Sequence, residues 1–86
     1  MRQLGEMTAV KACVLIKVRP GHHQRVAHKV ASLPGITAAF PVIGTADIVV
    51  RIEVKNLKAL TALGTKIGNL QDVITTETLV AAEAES

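Results

Sequence analysis

Tryptophan and tyrosine are absent from this 86-residue chain, and Phe40 is its only aromatic residue. A sequence-tolerant nucleic-acid groove needs stacking aromatics beside a basic stripe. Here the basic residues are scattered and sum, against seven acidic ones, to a net charge of only +3. Cysteine is nearly absent as well: Cys13 stands alone, which excludes an intrachain disulfide framework and fits a reducing compartment. Serine occurs only at Ser32 and Ser86, so a Ser-His-Asp arrangement has little to draw on. No glycine-rich phosphate cradle is written in the chain. No charged-then-apolar leader opens it, and no apolar run approaches the ~18 residues that span a bilayer. The expectation is a cytoplasmic chain with no membrane contact and no cofactor.

What remains is aliphatic. Hydrophobic residues make up 49% of the chain, almost all Val, Ile, Leu and Ala. A domain this small buries only about 60–65% of its unfolded surface. Without aromatic anchors, such a core is expected to be completed by self-association.

Residues 1–9 have no clear period and read as a flexible leader, within which Met7 is an alternative start. Residues 10–82 read as one domain, and residues 83–86 as an acidic tail. Val10, Ala12, Val14, Ile16 and Val18 alternate with Lys11, Cys13, Leu15 and Lys17, which predicts a strand with one buried and one mixed face. Pro20-Gly21 stops it. Val26 and Val30, with Leu33 just beyond, fall at helical spacing and predict a helix over 23–32, ended by Pro34-Gly35. A second strand is predicted over 37–43, confined to a sheet edge because Pro41 lacks a backbone donor. A third follows over 48–54, its continuous Ile-Val-Val start fitting a central position. Asn56 is a good helix N-cap for Leu57, Leu60, Leu63, Ile67 and Leu70. The β-branched run from Asp72 to Val80 closes the series as a fourth strand.

Strand-helix-strand-strand-helix-strand, with right-handed crossovers, predicts an α+β, ferredoxin-like βαββαβ fold: a four-stranded antiparallel sheet in the order 4-1-3-2 with two helices on one face. The other face would carry Cys13, Leu15 and Val49 among Lys17, Arg51 and Glu53. Half-apolar sheet faces of this kind are buried against a second sheet, so a face-to-face dimer is expected.

One stretch offers chemistry. The turn Gly44-Thr45-Ala46-Asp47 joins two apolar strands and combines free backbone groups, a permissive glycine and a carboxylate. Gly44 reads equally as a hairpin glycine, and Asp47 equally as the cap of its own turn or as the acceptor for an α-ammonium. Thr75, Thr76 and Thr78 read as strand formers on an edge strand. His22, His23 and His28 lack the spacing of metal ligands and belong on or before the solvated face of the first helix. Cys13, mid-strand, reads as a buried structural thiol rather than a nucleophile. The Gly64-x-x-x-Gly68 spacing reads as close helix–sheet packing.

Laid out in this order, the chain resembles the effector-binding domain of the Lrp/AsnC family of transcriptional regulators, the domain for regulation of amino acid metabolism. The resemblance runs from Val10 to Val80. It rests on Val14-Leu15-Ile16-Lys17-Val18 followed by Pro20-Gly21, on Leu33-Pro34-Gly35-Ile36, on Gly44-x-x-Asp47 with Val50-Arg51-Ile52, and on Thr76-Glu77-Thr78-Leu79. Nine residues before the first strand cannot supply the family's helix-turn-helix, so the chain resembles the stand-alone members. Thr45-Ala46 replaces the aromatic or acidic residue often found in the turn.

The resemblance implies an amino-acid-binding module, not an enzyme: a homodimer assembled into a ring, a small amino-acid effector lying between dimers, and full-length family regulators as possible partners, without direct specific DNA binding. The ligand-binding residues it implies are Ile43, Gly44, Thr45, Ala46, Asp47 and Ile48, completed by Thr76 and Thr78 of a neighbour, with no catalytic or metal-binding residues. The competing reading is a small dimeric α+β barrel enzyme such as a monooxygenase, since the same fold supports catalysts.

Overall fold

The computed structural model describes residues 9–82; residues 1–8 of the expected leader and the expected tail at 83–86 lie outside the described residues. The elements are β1 (Val10–Val18), α1 (His23–Ala31), β2 (Ile36–Pro41), β3 (Ile48–Val54), α2 (Leu57–Gly68) and β4 (Val73–Val80). All pairings are antiparallel, and the sheet runs β2-β3-β1-β4. This is the expected ferredoxin-like arrangement, with Pro41 ending an edge strand.

Alternation decides which face is covered. Ala12, Val14, Ile16 and Val18 of β1 and Ile48, Val50 and Ile52 of β3 are all buried. Val26, Ala27 and Val30 of α1 and Leu60, Leu63 and Ile67 of α2 meet them at helical spacing. α1 lies over β2 and β3, and α2 over β4, β3 and β1. Asn56 caps α2 as its residue type predicts, its side-chain oxygen accepting from the Ala59 N–H at 2.7 Å. No helix among the described residues is long and apolar enough to cross a membrane.

β2 departs from expectation. It begins at Ile36 and stops at Pro41 instead of running to Ile43. The last cross-strand bond is donated by Val42 N–H to the Asp47 carbonyl at 2.9 Å, and Ile43 then leaves the sheet, fully exposed at 104%.

The turn into β2 depends on Gly35. Its φ is +94°, and a Cβ there would stand 2.9 Å from Val54 Cγ1 and 3.3 Å from Leu63 Cδ2. Gly35→Ala therefore combines a strained backbone with a clash against the α2–β3 packing. We expect a loss of about 1–3 kcal/mol in urea unfolding; an unchanged midpoint would show that this turn relaxes freely.

The face away from the helices follows from the register. Phe40 pairs with Val49, Val49 with Leu15, and Leu15 with Glu77; the next row runs Ala38, Arg51, Cys13, Leu79. Leu15, Val49 and Cys13 are only half-buried, and Phe40 and Leu79 are 44% and 47% exposed. Cys13 is thus a residue of the open face and not of the core, because the alternation of β1 gives the core to its even-numbered neighbours.

Candidate functional site

The segment joining β2 to β3, residues 42–47, is fastened to the end of β1 and the start of α1 chiefly through Asp47. Asp47 N–H donates to the Ile16 carbonyl at 2.8 Å, and its own carbonyl accepts from Val42. Its carboxylate reaches further. Oδ2 accepts the Val18 N–H at 2.9 Å, and Oδ1 lies 3.2 Å from His23 Nε2. The Val18 N–H is available because the pairing of β1 with β3 ends at Ile16 and Ile48, leaving no β3 residue opposite Val18. Lys17 adds a fourth tie, its ammonium donating to the Thr45 carbonyl at 3.2 Å.

The Asp47 carboxyl is held below its ordinary value of 3.8, first by the Val18 N–H bond; partial burial opposes this, while the His23 contact and the nearby Lys17 charge reinforce it. The side chain therefore neither caps its own turn nor stands free. This revises the expectation for Asp47: the carboxylate serves as a latch between elements distant in sequence.

Above the latch, the tip of the loop is open. Among the described residues, no backbone N–H of Ile43, Gly44, Thr45 or Ala46 donates a hydrogen bond. Gly44, at φ 159°, has nothing within 4 Å of the place a Cβ would occupy. Ile43, Gly44 and Thr45 are exposed, and Ala46 and Asp47 half-buried. Beside them an open groove of about 630 Å³ is lined by His23, Gln24, Pro41, Val42 and Ile43.

Ile48 does not join this group. It is 0% exposed, sealed in the core between Ile16 and the helices, because it begins the inward-facing series of β3. Its expected part in shaping a ligand pocket is withdrawn. Thr76 and Thr78 stand elsewhere in the chain. They pair with Ile16 and Val14, so they face the helix side, where with Thr61 and Gly64 they line a groove of about 620 Å³ between α2 and β4. β1 lies between their strand and β3; only a second chain could set them against the loop.

Sequence reasoning missed His23 and Lys17 as partners of the loop. Nothing in local spacing links residues 24 or more positions apart; only the topology, which brings the β2–β3 loop to the end of β1, could have exposed the pairing. A second ion-pair cluster was missed for the same reason. Asp72, at a φ of 74°, gathers Arg25 at 3.0 Å, His22 at 3.3 Å and Arg19 at 3.7 Å.

Comparison with known proteins places this geometry among relatives. Residues 11–85 match the model of the Lrp/AsnC ligand binding domain. The HTH-type transcriptional regulator FL11 of Pyrococcus furiosus is 32% identical over 71 residues, a match covering 83% of this chain and 47% of FL11. The chain thus spans about half the length of the curated relatives it matches. Among solved structures, TTHA0845 from Thermus thermophilus superposes with a TM-score of 0.84 at 32% identity, covering 90% of this chain and 98% of that one. AsnC of E. coli gives a TM-score of 0.80 at 25% identity, over 96% of this chain and 56% of its own.

Proposed function

Because the chain belongs to the Lrp/AsnC ligand-binding domain family, we propose that it binds a free amino acid at the 42–47 loop and passes that occupancy on through its assembly state. The observation that carries the reading is the contrast within the loop: Asp47 anchors its base to β1 and α1, while the amides of residues 43–46 at its tip bond to none of the described residues. Unpaired amides on a fixed frame suit a carboxylate. The α-ammonium would lie toward Asp47, and the side chain along Pro41, Val42 and Ile43.

Two copies would pair through the open sheet face, and dimers would close into a ring by a repeated heterologous contact. That contact would bring a neighbour's Thr76 and Thr78 to the loop and complete the pocket. Since FL11 is a transcriptional regulator about twice the matched length, co-assembly with such full-length relatives is the route by which occupancy would reach DNA. The proposal assigns this domain no direct sequence-specific DNA contact. The enzyme reading would require reacting polar groups buried between sheet and helices, and among the described residues the buried part of that layer is aliphatic.

Thermal-shift screening against the twenty amino acids tests the reading, since a ligand that binds the folded state raises the melting temperature by mass action. Isothermal titration of Gly44→Val should then show affinity reduced by about tenfold or more, the isopropyl group occupying the approach to the amides. An unchanged affinity in that variant would move the pocket away from the loop.

A further inference from the structure

Both oxygens of the Asp47 carboxylate are in use, but unequally. Oδ2 takes the Val18 N–H at 2.9 Å, a backbone donor that cannot swing away while β1 keeps its place. Oδ1 takes His23 Nε2 at 3.2 Å from a side chain that is 36% exposed. His23 is the first residue of α1 and also lines the open groove beside the loop. An ammonium entering that groove would meet Asp47 only where the imidazole already stands.

We propose that His23 is a displaceable counter-ion: it occupies the ammonium subsite of the empty loop, and an amino acid binds by taking Asp47 Oδ1 from it. The inference rests on the amino-acid reading above and adds to it a competitor and a pH dependence. Below about pH 6 an imidazole is charged and holds a carboxylate more firmly; above about pH 7.5 it is neutral and yields more easily. The ligand's carboxylate keeps its charge over that range, and the contribution of His23 is read from the difference between wild type and His23→Ala. The other charged groups near it do not compete for this role. Lys17 is bound to the Thr45 carbonyl, and His22, Arg25 and Arg19 turn to Asp72. β2 brings Pro41 to the groove and the loop brings Val42 and Ile43, none of them charged. Displacement would also free the first side chain of α1, so the helix start would report whether the loop is filled.

The experiment titrates the wild type and His23→Ala, at about pH 5.5 and pH 8, with each of the twenty free amino acids that shifts the melting temperature and with its deaminated counterpart. Wild-type affinity for the amino acid should be roughly twofold to fivefold weaker at the lower pH, the span expected of a partly exposed ion pair. His23→Ala should bind at least as tightly as the wild type at both values and show no slope. The deaminated acid, having no ammonium to exchange, should show no slope in either protein. In parallel, the imidazole ring signals of His23 should move on addition of the amino acid and stay in place with the deaminated acid. A wild type without a pH slope, or a His23→Ala protein weakened equally at both pH values, would overturn the displacement and leave the amino-acid reading standing. Failure of all twenty amino acids to bind either protein would overturn the amino-acid reading, and the displacement with it.

Discussion

Leu15→Lys is expected to turn the proposed sheet-to-sheet dimer into monomers. Leu15 sits at the middle of the open sheet face, between Val49 and Glu77. In a two-fold dimer built on that face every substitution appears twice. An ammonium buried there without a partner costs several kcal/mol, so we expect the dimer dissociation constant to rise by about a hundredfold or more. Val49→Lys should act alike, since Val49 pairs directly with Leu15. Neither residue touches the layer between sheet and helices, so secondary structure by circular dichroism should persist while light scattering falls to the monomer mass. A variant that keeps its oligomeric state would place the interface on another face, with the groove between α2 and β4 as the alternative. Glu77 makes the outcome informative in a second way. It stands opposite Leu15 and offers the new lysine a carboxylate on the same chain; a much smaller effect for Leu15→Lys than for Val49→Lys would mark that pair as formed.

The elements were readable because each carries its own period. β1 and β3 alternate strictly enough that their bounds, Val10–Val18 and Ile48–Val54, follow from side-chain chemistry alone. The order of β2 in the sheet followed from the missing donor of Pro41, and the start of α2 from Asn56. Local rules failed where a long-range bond overrides them. Ile43 reads as strand by composition, yet the Val42–Asp47 bond ends the pairing before it. Ile48 reads as a loop neighbour by position, yet the inward face of β3 claims it. The site was readable only in outline. Gly44 and Asp47 stood out by type, but the partners of Asp47 come from Val18 and His23, and no pattern within a window of the sequence joins them. The φ of 74° at Asp72 was hidden in the same way: the residue before β4 holds this conformation while its carboxylate gathers Arg19, His22 and Arg25, three side chains distant from it in sequence.

The second large effect is expected at Asp47, and it separates the latch from the ligand. Asp47→Ala leaves the Val18 N–H without an acceptor beside a buried side chain and cuts the tie to His23, so the loop loses its hold on β1 and α1. A drop of several degrees in melting temperature is expected, together with loss of amino-acid binding. Asp47→Asn keeps an oxygen for Val18 but removes the charge, and the two variants together isolate what the charge contributes. The carboxyl is held below 3.8 in the folded protein, first by the Val18 bond. A group whose folded value lies below its unfolded one stabilises the fold fully at pH values above the unfolded value. That contribution declines as pH falls below it and is gone once the folded carboxyl is itself protonated. The stability difference between wild type and Asp47→Asn should therefore be fully developed by about pH 6. It should shrink below about pH 4 and vanish at the acid end. Other carboxylates titrate in the same window in both proteins, and the difference between the two urea-unfolding series cancels them. A difference that stayed level down to about pH 2 would mean that the Asp47 charge contributes nothing to the latch. The tie between the loop and β1 would then rest on hydrogen-bond geometry alone, and His23 would have no charge to guard.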